Sequence, residues 1–341
     1  MSIGYAIIGC GRVAPNHVDG VRASDGGTLL WACDVDDVAA KSFAAEHGIP
    51  HWTADAADML NDPDVTAVSI ATDHGRHAEL AEAALRAGKH VLVEKPLALS
   101  AADARRLVAL AAEHDRVLSV VSQHRYDPVV RAVRQWLADG LLGTLLFAQV
   151  CLEAQREPDY YAQSYWRGTW AGEGGSALVN QGYHCLDVSR GLLGDMTVHA
   201  AVATRAVLGD VIETEDTMSA LLSAGGVPIT LNVTVGSATL WRTRIDIVGS
   251  AGAVTLDLDH PGTLHRGTGE AVEVAAARLP ISDGDEPVPG TSYYGISHRS
   301  QIADFLTAVV GGHAMETDGH DGMAMVSLLE QLYNACHRDK K

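Results

Sequence analysis

The opening of the chain leaves little choice of fold. Residues 3–14 read I-G-Y-A-I-I-G-C-G-R-V-A, an apolar run from Tyr5 to Ile8 that meets the glycine-rich corner Gly9-Cys10-Gly11-Arg12-Val13-Ala14. A continuous apolar run ending in glycines reads as a buried parallel strand, a tight turn and a helix start. Gly9 takes the backbone angles of the turn. Gly11, without a side chain, lets a diphosphate approach the main chain, and Ala14 is the third small position, where helix and strand pack closely. The amides opening the helix then face the phosphates, together with its positive dipole end. Alone, G-x-G-x-x-A also describes a plain turn between strand and helix, so the context has to decide.

The context is a run of alternating strands and helices. Helix Val13–Ala23 leads to strand Thr28–Cys33, then helix Val38–His47, a short strand at His51-Trp52 and a short helix Asp55–Leu60. Strand Ala67–Ala71 ends in Thr72-Asp73-His74, helix Ala101–His114 follows the cap Ser100, and strand Val117–Val121 ends in Gln123-His124-Arg125. Between them lie helix His77–Ala87 and strand His90–Val93, which ends in Glu94-Lys95-Pro96. Such alternation predicts a doubly wound parallel sheet, whose ligands bind beyond the carboxyl ends of the strands. Asp34, Thr72, Lys95 and Gln123 all fall at such ends. Asp34 lies about 20 to 25 residues past the glycines, where a nucleotide-binding unit places the acid that bonds the adenosine ribose diol. An acid there repels a 2′-phosphate, and no Arg or Lys follows until Lys41, so NAD is expected over NADP.

Past Asp127 the pattern changes. Helix Val129–Asp139 precedes alternating stretches at 144–153, 197–208, 217–224, 228–235, 243–249 and 253–258, read as antiparallel strands of a large open sheet. A polar, aromatic loop at 155–175 and a helix from about Ala177 to Leu193 lie between the first two. Residues 278–292 read as an irregular loop, and Ile296–Val310 and Gly322–His337 as closing helices. With 341 residues, two domains are expected: a dinucleotide-binding domain over 1–124 and an α+β domain over 125–341. The net charge of −18 argues against nucleic-acid and anionic-membrane surfaces. Five scattered cysteines make no disulfide framework, and no leader or spanning segment is evident, so the expectation is a cytoplasmic protein.

Four blocks in order, the glycine corner, A-G-K-H-V-L-V-E-K-P, G-G-S-A-L-V-N-Q-G-Y-H-C-L-D and S-H-R-S-Q-I-A-D-F, resemble the Gfo/Idh/MocA oxidoreductases over nearly the whole chain. The resemblance implies a Rossmann domain followed by an α+β domain whose open sheet builds homodimers or homotetramers. It also implies hydride transfer between nicotinamide and a sugar-like carbon. Lys95 matches the family's lysine and His184 its histidine. A protonated Lys95 stabilises a developing alkoxide, and partial burial would instead lower its pKa and let it act as a base. Pro96 fixes the turn that aims it, with a cis bond implied by the family. His184, with an unperturbed pKa near 6.5, is suited to take a hydroxyl proton. On a helix it shares a stripe with Asn180, Asp187 and Gly191. Asn180 departs from the family's common Asp and acts only by hydrogen bonding. N-Q-G-x-H resembles the branch that oxidises nucleotide-linked or antibiotic sugars, typically at C3.

The expected cofactor residues are Gly9, Gly11, Arg12, Val13, Asp34, Thr72, His74, His77, Glu94, Lys95 and Gln123. The expected substrate residues are Lys95, Arg125, Tyr126, Arg167, Trp170, Asn180, His184 and His298, with Arg167 clamping an anion and the tryptophans stacking on a sugar. His74 and His77 divide between the cofactor side and the helix face. Sixteen histidines show no metal-ligand spacing. The substrate classes are sugars, nucleotide sugars, aminoglycosides and cyclitols. The alternatives are a ketoreductase of deoxysugar biosynthesis using NADP or NAD, an NAD-dependent glycosidase with transient oxidation, and a non-catalytic NAD or sugar sensor.

Overall fold

A computed structural model describes residues 2–259, 262–279 and 297–337. The chain forms two compact units, one of Met1–Gln123 with Pro287–Val326, the other of His124–Glu286 with Ser327–Lys341.

The first unit is built on a six-stranded parallel sheet of β1 (Ile3–Ile8), β2 (Gly27–Cys33), β3 (His51–Thr53), β4 (Ala67–Ile70), β5 (His90–Val93) and β6 (Leu118–Val120). Their order is β3-β2-β1-β4-β5-β6, the double winding of a dinucleotide-binding sheet. β1, β4 and β5 are buried along nearly their whole length, as strands covered on both faces must be. The helices are α1 (Ala14–Arg22), α2 (Asp37–Glu46), α3 (Ala56–Leu60), α4 (His77–Arg86) and α5 (Ala101–Glu113). Asp36, Asp55 and Ser100 cap α2, α3 and α5 through their side chains.

The C-terminal part of the chain returns to this unit. Helix α10 (Ser297–Gly311) packs on α1, and Ile302, Phe305 and Leu306 join the core formed by Tyr5, Ile7, Val18 and Val21. Gln301 accepts from the Ser122 amide at 2.9 Å and donates to the Val120 carbonyl at 2.7 Å, finishing the edge at β6.

In the second unit β7 (Leu145–Gln155), β8 (Met196–Thr204), β9 (Thr217–Ala224), β10 (Val227–Thr234), β11 (Gly236–Gly249), β12 (Ala253–Leu256) and β13 (Leu264–Thr268) form one sheet. Its order is β13-β12-β11-β7-β10-β9-β8. All neighbours are antiparallel except β7 and β10, so the sheet is the mostly antiparallel one expected. Ala148, Val150, Leu152 and Ala154 alternate inward along β7. The unit's helices include α6 (Pro128–Ala138), the short α7 (Pro158–Ala162), α8 (Tyr183–Leu193) and α9 (Glu270–Ala276); α11 (Gly319–His337) contributes residues to both units. The expected loop at 278–292 lies outside the described residues from 280 on, and so does Ile296 of the expected closing helix. All five cysteines are free thiols. Among the described residues no helix is long and apolar enough to cross a membrane.

Candidate functional site

In the first unit the carboxyl ends of β1, β2, β4 and β5 bring the glycine corner, Asp34, Thr72 and Lys95 to one edge of the sheet. Gly9 has φ +94°, and a β-carbon there would lie 2.6 Å from the Ala71 carbonyl oxygen. At Gly11 nothing lies within 4 Å of a β-carbon's position, so the corner is open at that residue. The Cys10 amide donates to Asp34 Oδ2 at 2.9 Å and the Asp36 amide to Oδ1 at 3.0 Å. The carboxylate thus closes the corner onto β2 while each oxygen keeps acceptor capacity for a ribose hydroxyl. The Ala14 and Asn16 amides go to the Gly11 and Val13 carbonyls, and Pro15 has no N–H. The first helical amides are thus already engaged, and the open place beside the main chain is at Gly11, before the helix rather than within it. Open space and acid together fit a dinucleotide.

Glu94, expected to bind cofactor, is turned into the core. Its Oε1 lies 3.2 Å from His17 Nε2 and 3.6 Å from His298 Nε2, and its Oε2 accepts the Lys95 amide at 3.2 Å. Burial pushes this carboxyl up, but the two imidazoles outweigh burial and hold it well below the ordinary glutamate value. His17 continues through Ser69 Oγ (2.8 Å) to the Tyr5 hydroxyl (2.7 Å from Ser69 Oγ). His298 thus sits, nearly fully buried, against Glu94. Lys95–Pro96 is a cis bond. His77 is fully buried, with Nδ1 2.7 Å from the Pro96 carbonyl and Nε2 3.3 Å from that of Thr72. Burial lowers its pKa, and a neutral ring carries one N–H, so it donates to one of these two carbonyls and sits between the Thr72 and Lys95 turns rather than facing solvent on either expected side. His74 lies beside it, ring centroids 5.7 Å apart, and Gln123 is buried after β6.

In the second unit the expected helix from Ala177 begins as a π-helical turn, Ala177–Gly182, that runs into α8. Such turns interrupt α-helices frequently at functional sites. Asn180 and His184 stand on either side of the junction. From Gly175 through Ser189 they alone are not buried, so the helix exposes just these two side chains. The His184 ring meets the His124 ring edge to face at 5.0 Å, and His124 Nδ1 is 2.8 Å from Asp127 Oδ2.

Arg125, expected to hold substrate, makes a buried bidentate pair with Asp187 at 2.9 and 2.6 Å. A buried guanidinium and a buried carboxylate each need such a partner, so Asp187 belongs to Arg125. Gly191 leaves room for it; a β-carbon there would lie 3.1 Å from the guanidinium. Tyr126 is buried, with the Arg131 guanidinium 4.8 Å over its ring. Arg167 lies 4.2 Å over the Tyr160 ring and donates to the Tyr160 carbonyl at 3.0 Å, ordering the loop it was expected to present to an anion. Trp170 is 44% exposed and meets Tyr333 edge to face.

Sequence reasoning passed over His17, Glu173 and Tyr160. His17 had a signal, since it lies on the buried face of α1 with Ala14, Val18 and Val21. Glu173 had none. It is fully buried in the loop before the π turn, and its Oε1 accepts from Asn180 Nδ2 at 2.5 Å. Among the described residues no cluster of His, Cys, Asp or Glu could hold a metal ion.

Two family models match. One, described as an oxidoreductase family with an NAD-binding Rossmann fold, covers residues 3–122; the other, a GFO/IDH/MocA C-terminal domain, covers 130–255. D-apiose dehydrogenase of Paraburkholderia graminis is 28% identical over 96% of this chain and 86% of its own. Inositol 2-dehydrogenase of Rhizobium meliloti is 26% identical over 97% and 96%. The crystal structure of the WlbA dehydrogenase from Bordetella pertussis, in complex with NADH and UDP-GlcNAcA, superposes with a TM-score of 0.87 at 26% identity, over 100% of this chain and 96% of that one.

Proposed function

Because the chain belongs to the Gfo/Idh/MocA oxidoreductase family, we propose that it oxidises a secondary hydroxyl of a sugar, nucleotide-linked sugar, aminoglycoside or cyclitol, with C3-type oxidation favoured. The protein is an NAD-dependent dehydrogenase. The observation that carries the substrate class is the match to D-apiose and inositol dehydrogenases over nearly the whole chain. The nucleotide-sugar branch draws support from the WlbA complex and from Asn180-Gln181-Gly182-Tyr183-His184.

NAD supplies a hydride acceptor at nicotinamide C4 when bound. Its diphosphate would approach the main chain at the open corner of Gly11, and Asp34 would take the ribose diol. His184 removes the hydroxyl proton as the hydride leaves. Lys95, aimed by the turn that Glu94 and His77 anchor, stabilises the negative charge growing on the oxygen. Asn180 orients the substrate by hydrogen bonding. The outward face of the seven-stranded sheet, with Phe147, Val202 and Leu221 exposed, is the surface through which we expect a homodimer or homotetramer.

The test is NADH formation with a panel of UDP-linked uronic acids, inositols, pentoses and aminoglycosides. Net NADH identifies a dehydrogenase, while product without net NADH identifies transient oxidation. With an active substrate, His184→Ala lowers hydride transfer by about two to four powers of ten; unchanged turnover removes His184 from the role.

A further inference from the structure

We propose that Glu173 is a positioning residue that fixes the Asn180 carboxamide with its nitrogen inward and its carbonyl oxygen outward, making residue 180 an acceptor for a substrate hydroxyl. The proposal rests on the reading of Asn180 as a substrate residue. It starts from the donors around one buried carboxylate. Glu173 Oε2 accepts from the Gly168 amide at 2.7 Å and from the Ser176 hydroxyl at 2.5 Å. Its Oε1 accepts from Asn180 Nδ2 at 2.5 Å. A carboxylate offers only acceptors, so the face of the Asn180 amide turned toward Glu173 has to be the NH2. The same nitrogen lies 3.3 Å from the Tyr160 hydroxyl, which also receives Gln181 Nε2 at 3.2 Å. Both amide hydrogens are thereby directed to Glu173 and Tyr160, and Oδ1 takes the other branch of the amide.

The frame around this pair is rigid. Gly168, which donates to Glu173, has φ +74° and is packed on Ile212 and Tyr161. Ser176 Oγ is also 2.7 Å from Thr214 Oγ1. Tyr160 is held under the Arg156 and Arg167 guanidinium groups, 5.1 and 4.2 Å over its ring. An amide flip at Asn180 would set its oxygen against the Glu173 carboxylate, so the anion locks one of two otherwise similar rotamers. The consequence for the reaction is selective. An outward carbonyl favours a substrate that presents a hydroxyl donor there and disfavours one that presents only an acceptor, because one of two facing acceptors is left unpaired.

The test exchanges the two groups. Glu173→Gln keeps its carbonyl on the Gly168 and Ser176 donors, turns its own NH2 toward residue 180 and reverses the amide. The rise expected in KM, or fall in kcat, is about ten- to a hundredfold. Asn180→Asp sets two carboxylates in contact, so one holds a proton. This variant is expected to lose activity and thermal stability as pH rises from about 6 to about 8, more steeply than the parent. The double variant Glu173→Gln/Asn180→Asp restores one donor facing one acceptor, so it is expected to return the pH slope in Tm to the parent's and recover most of the lost kcat/KM. Activity is followed as NADH formation from UDP-GlcNAcA and from myo-inositol, and Tm is read on all four proteins without substrate. Losses that simply add in the double variant, or a Glu173→Gln protein with parental kinetics, overturn the proposal. Parental kinetics in Asn180→Ala would instead remove Asn180 from the substrate site, while the Tm comparison still decides whether Glu173 sets its amide.

Discussion

Gly9 and Gly11 look alike in the sequence and differ in the structure, and a pair of substitutions separates them. Gly9→Ala forces a β-carbon onto the Ala71 carbonyl at a positive φ, for which the backbone term alone is about 1–2 kcal/mol. Its Tm falls with or without cofactor. Gly11→Ala meets nothing within 4 Å and leaves the apo Tm unchanged, yet it weakens NAD binding by about tenfold or more, because the added methyl stands where a diphosphate approaches. Calorimetric titration with NAD alongside Tm reads both effects. The turn at Gly9, which depends on local backbone, was legible from spacing read together with its strand and helix. Glu94 and His77 were legible only as neighbours of a sheet edge. Which way they turn depends on buried partners (His17, His298, the Pro96 carbonyl) that lie elsewhere in the sequence. The partner of Arg125 was hidden for the same reason, since Asp187 is 62 residues away and nothing local marks the pair.

At the scale of elements, the strands of the parallel sheet stood out because a strand covered on both faces is apolar throughout, whereas the parallel pairing of β7 with β10 depends on sheet order, which hydrophobic alternation does not encode. The π turn was likewise invisible; its residues have the composition of an ordinary helix. One reason it holds is Glu215, just before β9. The Ala177 amide donates to the Glu215 carbonyl at 3.2 Å, and Glu215 Oε1 accepts from the Leu178 amide and the Tyr333 hydroxyl, each at 2.9 Å. Burial, opposed by these hydrogen bonds, pushes its carboxyl up from 4.5 to about 7. Below about 4.5 folded and unfolded chains both hold the proton; between there and about 7 the folded chain alone does. This contribution is therefore complete in acid and lost as pH rises toward 7, by up to about 3 kcal/mol. Urea unfolding at about pH 5 and about pH 8 is expected to show that loss in the parent and a flatter dependence in Glu215→Gln.

On the scale of the whole molecule, the return of the C-terminal segment was the least legible feature. Periodicity identified the closing helix, but its destination on α1 depends on faces that meet only in the folded chain. Phe305 is fully buried and lies edge to face on Tyr5, with centroids 6.3 Å apart. Phe305→Ala is expected to cost about 3–5 kcal/mol and to weaken NAD binding through β1, the strand that carries the glycine corner. Denaturant unfolding and NAD titration of this variant check both effects, and parental values in both would show that α10 is dispensable to the cofactor unit.

That return also sets a timetable for synthesis. A chain made from its N-terminus completes six parallel strands and then has to carry an open flank on α1 and β1 while more than 170 further residues are added before Ile302, Phe305 and Leu306 exist to cover it. The unit begun first therefore stays incomplete until α10 is made, and the seven-stranded sheet, whose strands all lie between Leu145 and Thr268, can form in the interval. The nascent cofactor unit is where a chaperone would find exposed apolar surface for longest.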